Sequence, residues 1–182
     1  MKQLHLVRHA KSSWEHPELS DHQRPLNGRG RQAAPLAGRV MQAEIEVSGR
    51  ETPQFFVSTA RRARETFDGL SSGWPLLGEQ VPNYDDALYT FDEADLINWI
   101  AAANDGLDSI ALIGHNPAMT ELANFLCPML ALSNLPTAGW LWFCFDYDSW
   151  GASVQSPGRG RCQTLYTPKS GKLLGEDRYR VR

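Results

Sequence analysis

Lysine is scarce in this 182-residue chain: of its 18 basic side chains only four are Lys, and fourteen are Arg. The imbalance reads mainly as composition bias, with phosphate recognition a role for a few of the arginines. Charge of either sign is also in short supply as an excess. The net charge is −3, which excludes a general electrostatic binder of nucleic acid. The three cysteines, Cys127, Cys144 and Cys162, are odd in number and widely spaced, with no CxxC pair. They read as reduced thiols of a cytoplasmic protein rather than a disulfide framework. No apolar run approaches the roughly 20 residues of a membrane span, so no membrane partner is expected. The first apolar run begins almost at Met1, so no signal peptide is expected. Internal repeats, low-complexity tracts and interdomain linkers are missing too, and residues 1–182 read as one domain. The tail from about residue 169 is polar and Arg-rich and is expected to fray.

What is present is ordinary for a globular protein, with 42% hydrophobic and 21% charged residues. Leu4, Leu6 and Val7 form an apolar run suited to a buried central strand, and it ends abruptly in Arg8-His9. Gln54 to Val57 repeats the device, running into Ser58-Thr59-Ala60-Arg61-Arg62. Ser109 to Ile113 repeats it again, running into Gly114-His115-Asn116-Pro117. Each run is followed by helical spacing. After Asn27, a candidate cap, Ala33, Leu36, Ala37 and Val40 share a face, with Pro35 expected to kink or restart that helix. Ser58 or Thr59 is expected to cap the second helix, whose inward face is Ala63, Phe67 and Leu70. Asn116 is expected to cap a later one, with Pro117 at its first position. Val81 to Tyr84 reads as a short strand, and Asp92 as the start of a helix carrying Leu96, Ile97 and Ile100. Gly139 to Phe145 is an aromatic strand that Arg161 to Thr167 pairs with as an edge.

Alternating strands and helices give an α/β fold: a three-layer α/β/α sandwich with a mostly parallel central sheet. In such sheets the loops leaving one edge converge. Arg8, His9, one of Arg61 and Arg62, and His115 would then surround one point. An imidazole can attack phosphorus and a guanidinium fork matches phosphate oxygens, so this set suits phosphoryl transfer through a phosphohistidine. Arg64 reads as part of a solvated basic face. His5, within the first strand, reads as a hydrogen-bonded core or surface histidine, and His16 and His22, in the loop over the presumed pocket, read as solvent-exposed, with the pocket rim as the alternative. No spacing resembles a zinc site, and adjacent guanidiniums would repel a cation, so no metal or other cofactor is expected.

Four motifs in register carry a resemblance to the histidine phosphatase superfamily: Arg8-His9-Ala10-Lys11-Ser12, Asp21-x-x-Arg24-Pro25-Leu26 leading to Gly28 and Gly30, Ser58-x-x-x-Arg62-Ala63-x-x-Thr66, and Gly114-His115-Asn116-Pro117. Within it the chain resembles the short SixA-type phosphohistidine phosphatases, over residues 1 to about 167. The resemblance implies a phosphoglycerate mutase-like fold, with His9 as nucleophile and Arg8, Arg62, His115 and Ser12 as phosphate-binding residues. Position 10 is Ala where many members have Gly, and Glu15 stands where mutase-like relatives often have a phosphate-contacting Asn. The leaving-group acid of larger members has no clear match. Asp86 is the nearest candidate, against a turn or capping role. The expected function is a metal-independent phosphatase acting on a phosphohistidine-containing protein. The alternatives are a phosphatase of small phosphate esters and a non-catalytic phosphate-binding protein. The sequence specifies no oligomeric state.

Overall fold

A computed structural model describes residues 1–169 and 171–175. Seven strands form one sheet in the order β3-β2-β4-β1-β5-β6-β7. They are β1 (Lys2–Arg8), β2 (Gln54–Ser58), β3 (Asn83–Asp85), β4 (Ser109–Gly114), β5 (Trp140–Phe145), β6 (Arg161–Thr167) and β7 (Lys172–Gly175). The first four in chain order run parallel to one another, and β5, β6 and β7 are joined antiparallel. Between them lie α1 (Gly28–Ser48), α2 (Arg61–Gly73), α3 (Glu93–Ala101), α4 (Ala118–Leu126) and α5 (Trp150–Val154).

The central strands are apolar on both faces because helices cover both. Leu4 and Leu6 of β1, with Ile110 and Leu112 of β4, pack against Leu96, Leu122 and Trp150 from α3, α4 and α5. One residue out of phase, Val7, Ala111 and Ile113 pack with Val57 against Met41 of α1 and Phe67 of α2. The period-two alternation of a strand thus feeds two cores, and the three-layer sandwich follows. The expected α/β/α architecture is present.

Several local expectations change. Helix α1 starts as expected, with the Asn27 side chain accepting from the Gly30 N–H at 2.9 Å. It then runs unbroken through Pro35. The bond that Pro35 cannot donate is outweighed by packing of α1 along α2. Neither expected hydroxyl caps α2: its cap position is Ala60, with no side-chain bond. Helix α4 begins at Ala118, and Asn116 does not cap it. The Asn116 amide instead donates to the Asn134 side chain (2.9 Å) and the Leu135 carbonyl (3.1 Å). Finally, β6 is not the edge strand, because β7 pairs beyond it. The expected fraying of the tail is therefore incorrect for Lys172–Gly175, where a backbone ladder opposes it; residues 176–182 lie outside the described residues.

Candidate active site

Three adjacent strands, β2, β4 and β1, bring the sequence-selected junctions together at their carboxyl ends. Register pairs Arg8 with Gly114 and Val57 with Ile113. The His9 N–H then donates to the Gly114 carbonyl at 3.0 Å. His9 and His115 consequently face each other, with ring centroids 5.0 Å apart.

The hydrogen bonds assign the His9 tautomer. Nδ1 lies 2.7 Å from the Ala10 carbonyl oxygen, which can only accept. Nδ1 therefore carries the proton, and the Nε2 lone pair faces the site, where the Arg62 Nε–H donates to it at 3.2 Å. Arg62 is 4% exposed, and its guanidinium is shared among several partners. Besides His9, it donates from Nη2 to His115 Nδ1 (3.1 Å) and to the Asp21 carboxylate (2.9 Å). Its Nη1 donates to the Asp21 carbonyl. His115 in turn contacts the buried Ser58 hydroxyl through Nε2 at 2.7 Å. That contact takes Ser58 away from capping α2.

Asp21 and Tyr89 complete the cluster, and neither was singled out as a site residue by sequence reasoning. The Tyr89 hydroxyl donates to the same Asp21 oxygen at 2.8 Å. The Tyr89 ring also stands edge-on to His115 at 5.3 Å and to His22 at 4.8 Å. The motif Asp21-x-x-Arg24-Pro25-Leu26 was the one available signal for Asp21; Ser58 headed a motif but was read as a cap, and nothing local marked Tyr89. Thr66, also in a motif, accepts from the Ala10 N–H at 2.9 Å and fixes the backbone beside His9.

The remaining expected residues are hydrogen-bonded to other partners than His9, Arg62 and His115. Arg8 donates to the Asn134 side chain (3.2 Å) and the Leu135 carbonyl (2.7 Å), while its buried Nε has no partner among the described residues. Ser12 bridges to Leu26 through its backbone, and its hydroxyl is not bonded to His9, Arg62 or His115. Asp86 is exposed and accepts from the Thr59 hydroxyl, which also contacts His22 Nε2 at 3.0 Å. Asp86 makes no hydrogen bond to His9, Arg62 or His115. His22 is half-buried on that rim, the alternative to the exposed position expected, whereas His16 is exposed. A cavity of about 440 Å³ opens beside His22, Thr59, Arg61 and Arg64.

Burial and like charge keep both site histidines neutral. The His9 pKa is lowered to about 3, by burial first and then by Arg62 and Arg8, against opposing contributions from the Ala10 carbonyl and Asp21. His115 is lowered to about 2, by burial first and then by His9 and Arg62. For Asp21 burial acts upward, but the Tyr89 hydrogen bond and the Arg62 charge outweigh it and hold the carboxyl below its ordinary value. The result is a neutral imidazole lone pair beside a buried guanidinium, an arrangement able to meet an oxyanion. Among the described residues no three His, Cys, Asp or Glu side chains gather as a metal site would require. Nor, among them, is any helix long and apolar enough to cross a membrane.

Comparison with known proteins agrees with this geometry. The profile of the histidine phosphatase superfamily (branch 1) matches residues 4–88. An uncharacterized protein of Mycobacterium tuberculosis is 31% identical over 118 residues, 64% of this chain and 67% of that one. Among solved structures, a SixA-type protein from Agrobacterium tumefaciens superposes with a TM-score of 0.74 at 24% identity, covering 92% of this chain and 98% of the other. The protein histidine phosphatase SixA complexed with tungstate gives 0.69 at 21% identity, covering 93% and 99%. A mycobacterial glucosyl-3-phosphoglycerate phosphatase bound to VO3 gives 0.59 at 17% identity, covering 89% and 97%. With its strand-end histidines and arginine in one cluster and the family profile spanning three of its four motifs, this chain belongs to the histidine phosphatase superfamily.

Proposed function

We propose that the protein is a phosphohistidine phosphatase that works through a phospho-His9 intermediate. One observation carries the reading: the Ala10 carbonyl holds the proton on His9 Nδ1, leaving the Nε2 lone pair directed at buried Arg62. In the first step Nε2 attacks phosphorus, and the bond from phosphorus to the substrate imidazole breaks. Arg62, His115 and Arg8 hold the equatorial oxygens, with Ser12 at the margin. The leaving imidazole departs neutral when its other nitrogen carries a proton. In the second step water attacks phospho-His9, the phosphorus–Nε2 bond breaks, and inorganic phosphate leaves. No step requires a metal.

Preference for nitrogen-linked phosphate is supported by the position of Asp86, which is exposed and engaged with Thr59. An alkyl ester must expel a strongly basic alkoxide and needs a proton delivered to it. A departing imidazole has a conjugate acid of pKa about 6.5 and needs far less help. The experiment compares kcat/KM for a phosphohistidine protein with that for several alkyl phosphates. The phosphohistidine substrate is expected to be the better one, and Asp86→Asn to change it less than about threefold. His9→Ala is expected to lose at least about a thousandfold and the acid-labile, base-stable phosphoenzyme label. An alkyl ester as the better substrate, lost selectively in Asp86→Asn, would make Asp86 a working acid and the protein a small-ester phosphatase.

A further inference from the structure

The hydrogen bonds of His115 give it the wrong form for an oxyanion. Arg62 Nη2 lies 3.1 Å from His115 Nδ1, and a guanidinium only donates, so Nδ1 presents a lone pair. The single proton of the neutral ring is therefore on Nε2 and is donated to Ser58 Oγ at 2.7 Å. A phosphoryl oxygen only accepts. When it takes up the Arg62 donors, it meets the Nδ1 lone pair, and two acceptors face each other.

We infer that Ser58 is a positioning residue whose hydroxyl reverses direction, so that neutral His115 moves its ring proton from Nε2 to Nδ1 when an oxyanion enters. The inference rests on the phosphoryl-transfer reading above. Ser58 is fully buried, and its Oγ also lies 3.4 Å from the Ala60 N–H, a donor. In the resting arrangement the hydroxyl accepts from His115 and from Ala60. Among the described residues no other group is hydrogen-bonded to it. In the oxyanion-bound arrangement the hydroxyl donates to Nε2 and still accepts from Ala60, while Nδ1–H donates to the bound oxygen. Every polar group then has a partner of the right kind. The protons balance: Nε2 gives one to water, Nδ1 takes one from water, and the ring stays neutral with no net uptake. Tyr89 and Phe91, with ring centroids 5.3 and 5.6 Å from His115, wall the imidazole in, so the proton moves while the ring keeps its place.

The test is a long-range proton–nitrogen NMR spectrum of the uniformly nitrogen-15-labelled protein, titrated with tungstate near pH 7. The His115 signals are assigned by their loss in His115→Gln. Free protein is expected to show Nδ1 of pyridine type and Nε2 of pyrrole type, and saturating tungstate to exchange the two. In Ser58→Ala the tungstate Kd is expected to rise about tenfold, the worth of one lost hydrogen bond, and the exchange to become incomplete. Should that variant not fold, the wild-type spectra decide alone. Two pyrrole-type nitrogens with tungstate bound would mean protonation and overturn the inference. An unchanged pyridine-type Nδ1 while His9 signals shift would overturn it too, leaving the phosphatase reading intact. No response of His9 or His115 to tungstate would remove both.

Discussion

At the scale of single residues the site is organised by Arg62, and Arg62 is organised by Asp21. The Asp21 carboxylate and carbonyl occupy one edge of the guanidinium, which turns its Nε and Nη2 donors toward His9 and His115. Those are the two donors an oxyanion would take as a fork. Asp21→Asn keeps the size and an acceptor but loses the charge. It is expected to lower kcat/KM roughly ten- to a hundredfold, the usual worth of a charge-assisted bond of about 1.5–3 kcal/mol. Tyr89→Phe removes only the supporting hydroxyl and is expected to cost a few-fold. Steady-state kinetics on a phosphohistidine protein check both, and an Asp21→Asn rate equal to wild type would show that Arg62 needs no clamp. His9 and His115 were legible in the sequence because each closes a buried apolar run; the run ending at Val57 left Arg61 and Arg62 open, and the family resemblance selected Arg62. Asp21 was less so, since its contact with Arg62 spans 41 positions with no periodicity to reveal it. Arg8 was legible as a residue, but its engagement with Asn134 and Leu135 was not.

At the scale of elements, the α1–α2 pair sets where Arg62 starts and where the loop after His9 lies. The two helices touch backbone to backbone. A Cβ at Gly38 would fall on the Leu70 carbonyl oxygen, and one at Gly73 on that of Pro35. Both positions use glycine for close approach, so gains in helix propensity from alanine are outweighed by overpacking. Gly38→Ala and Gly73→Ala are each expected to destabilise the fold by about 1–3 kcal/mol, read as a lower denaturation midpoint. Gly28→Ala, where a Cβ meets nothing within 4 Å, is the control and is expected to stay near wild type. The same contact explains why α1 does not restart at Pro35. Sequence reasoning weighed the missing N–H and had no means to weigh a partner helix. The capping errors have a related origin. Ser58 and Asn116 have the right chemistry to cap α2 and α4, but tertiary partners, His115 for one and the 134–135 loop for the other, claim their side chains.

Across the whole molecule, the parallel strands carry the chemistry and the antiparallel strands β5 to β7 extend the sheet beside β1. Long apolar runs made the parallel part readable, whereas β7, in a tail of polar composition, gave no comparable signal. The seam between the two parts holds His5 of β1. Its Nδ1 accepts from the Trp140 indole N–H at 3.2 Å, and its ring stacks on Trp140 and Trp142. Burial lowers its pKa to about 3. With His9 near 3 and His115 near 2, three histidines stay neutral in the folded protein at pH values where the unfolded chain protonates them. Below about pH 6.5 the unfolded state therefore binds more protons, and stability rises with pH through that window. It is complete above about pH 6.5 and is lost progressively as pH falls toward about 3. Each fully mismatched histidine contributes a slope of up to about 1.4 kcal/mol per pH unit. His5→Gln replaces one of the three with a side chain that can still accept from Trp140 but cannot titrate. Its urea-unfolding free energy between pH 6 and 4 is expected to fall less steeply than that of wild type, by up to about 1.4 kcal/mol per pH unit. The substitution leaves His9 and His115 in place, so activity at pH 7 persists while the acid limb of stability flattens. A slope equal to wild type would mean that His5 protonates in the folded protein as readily as in the unfolded chain.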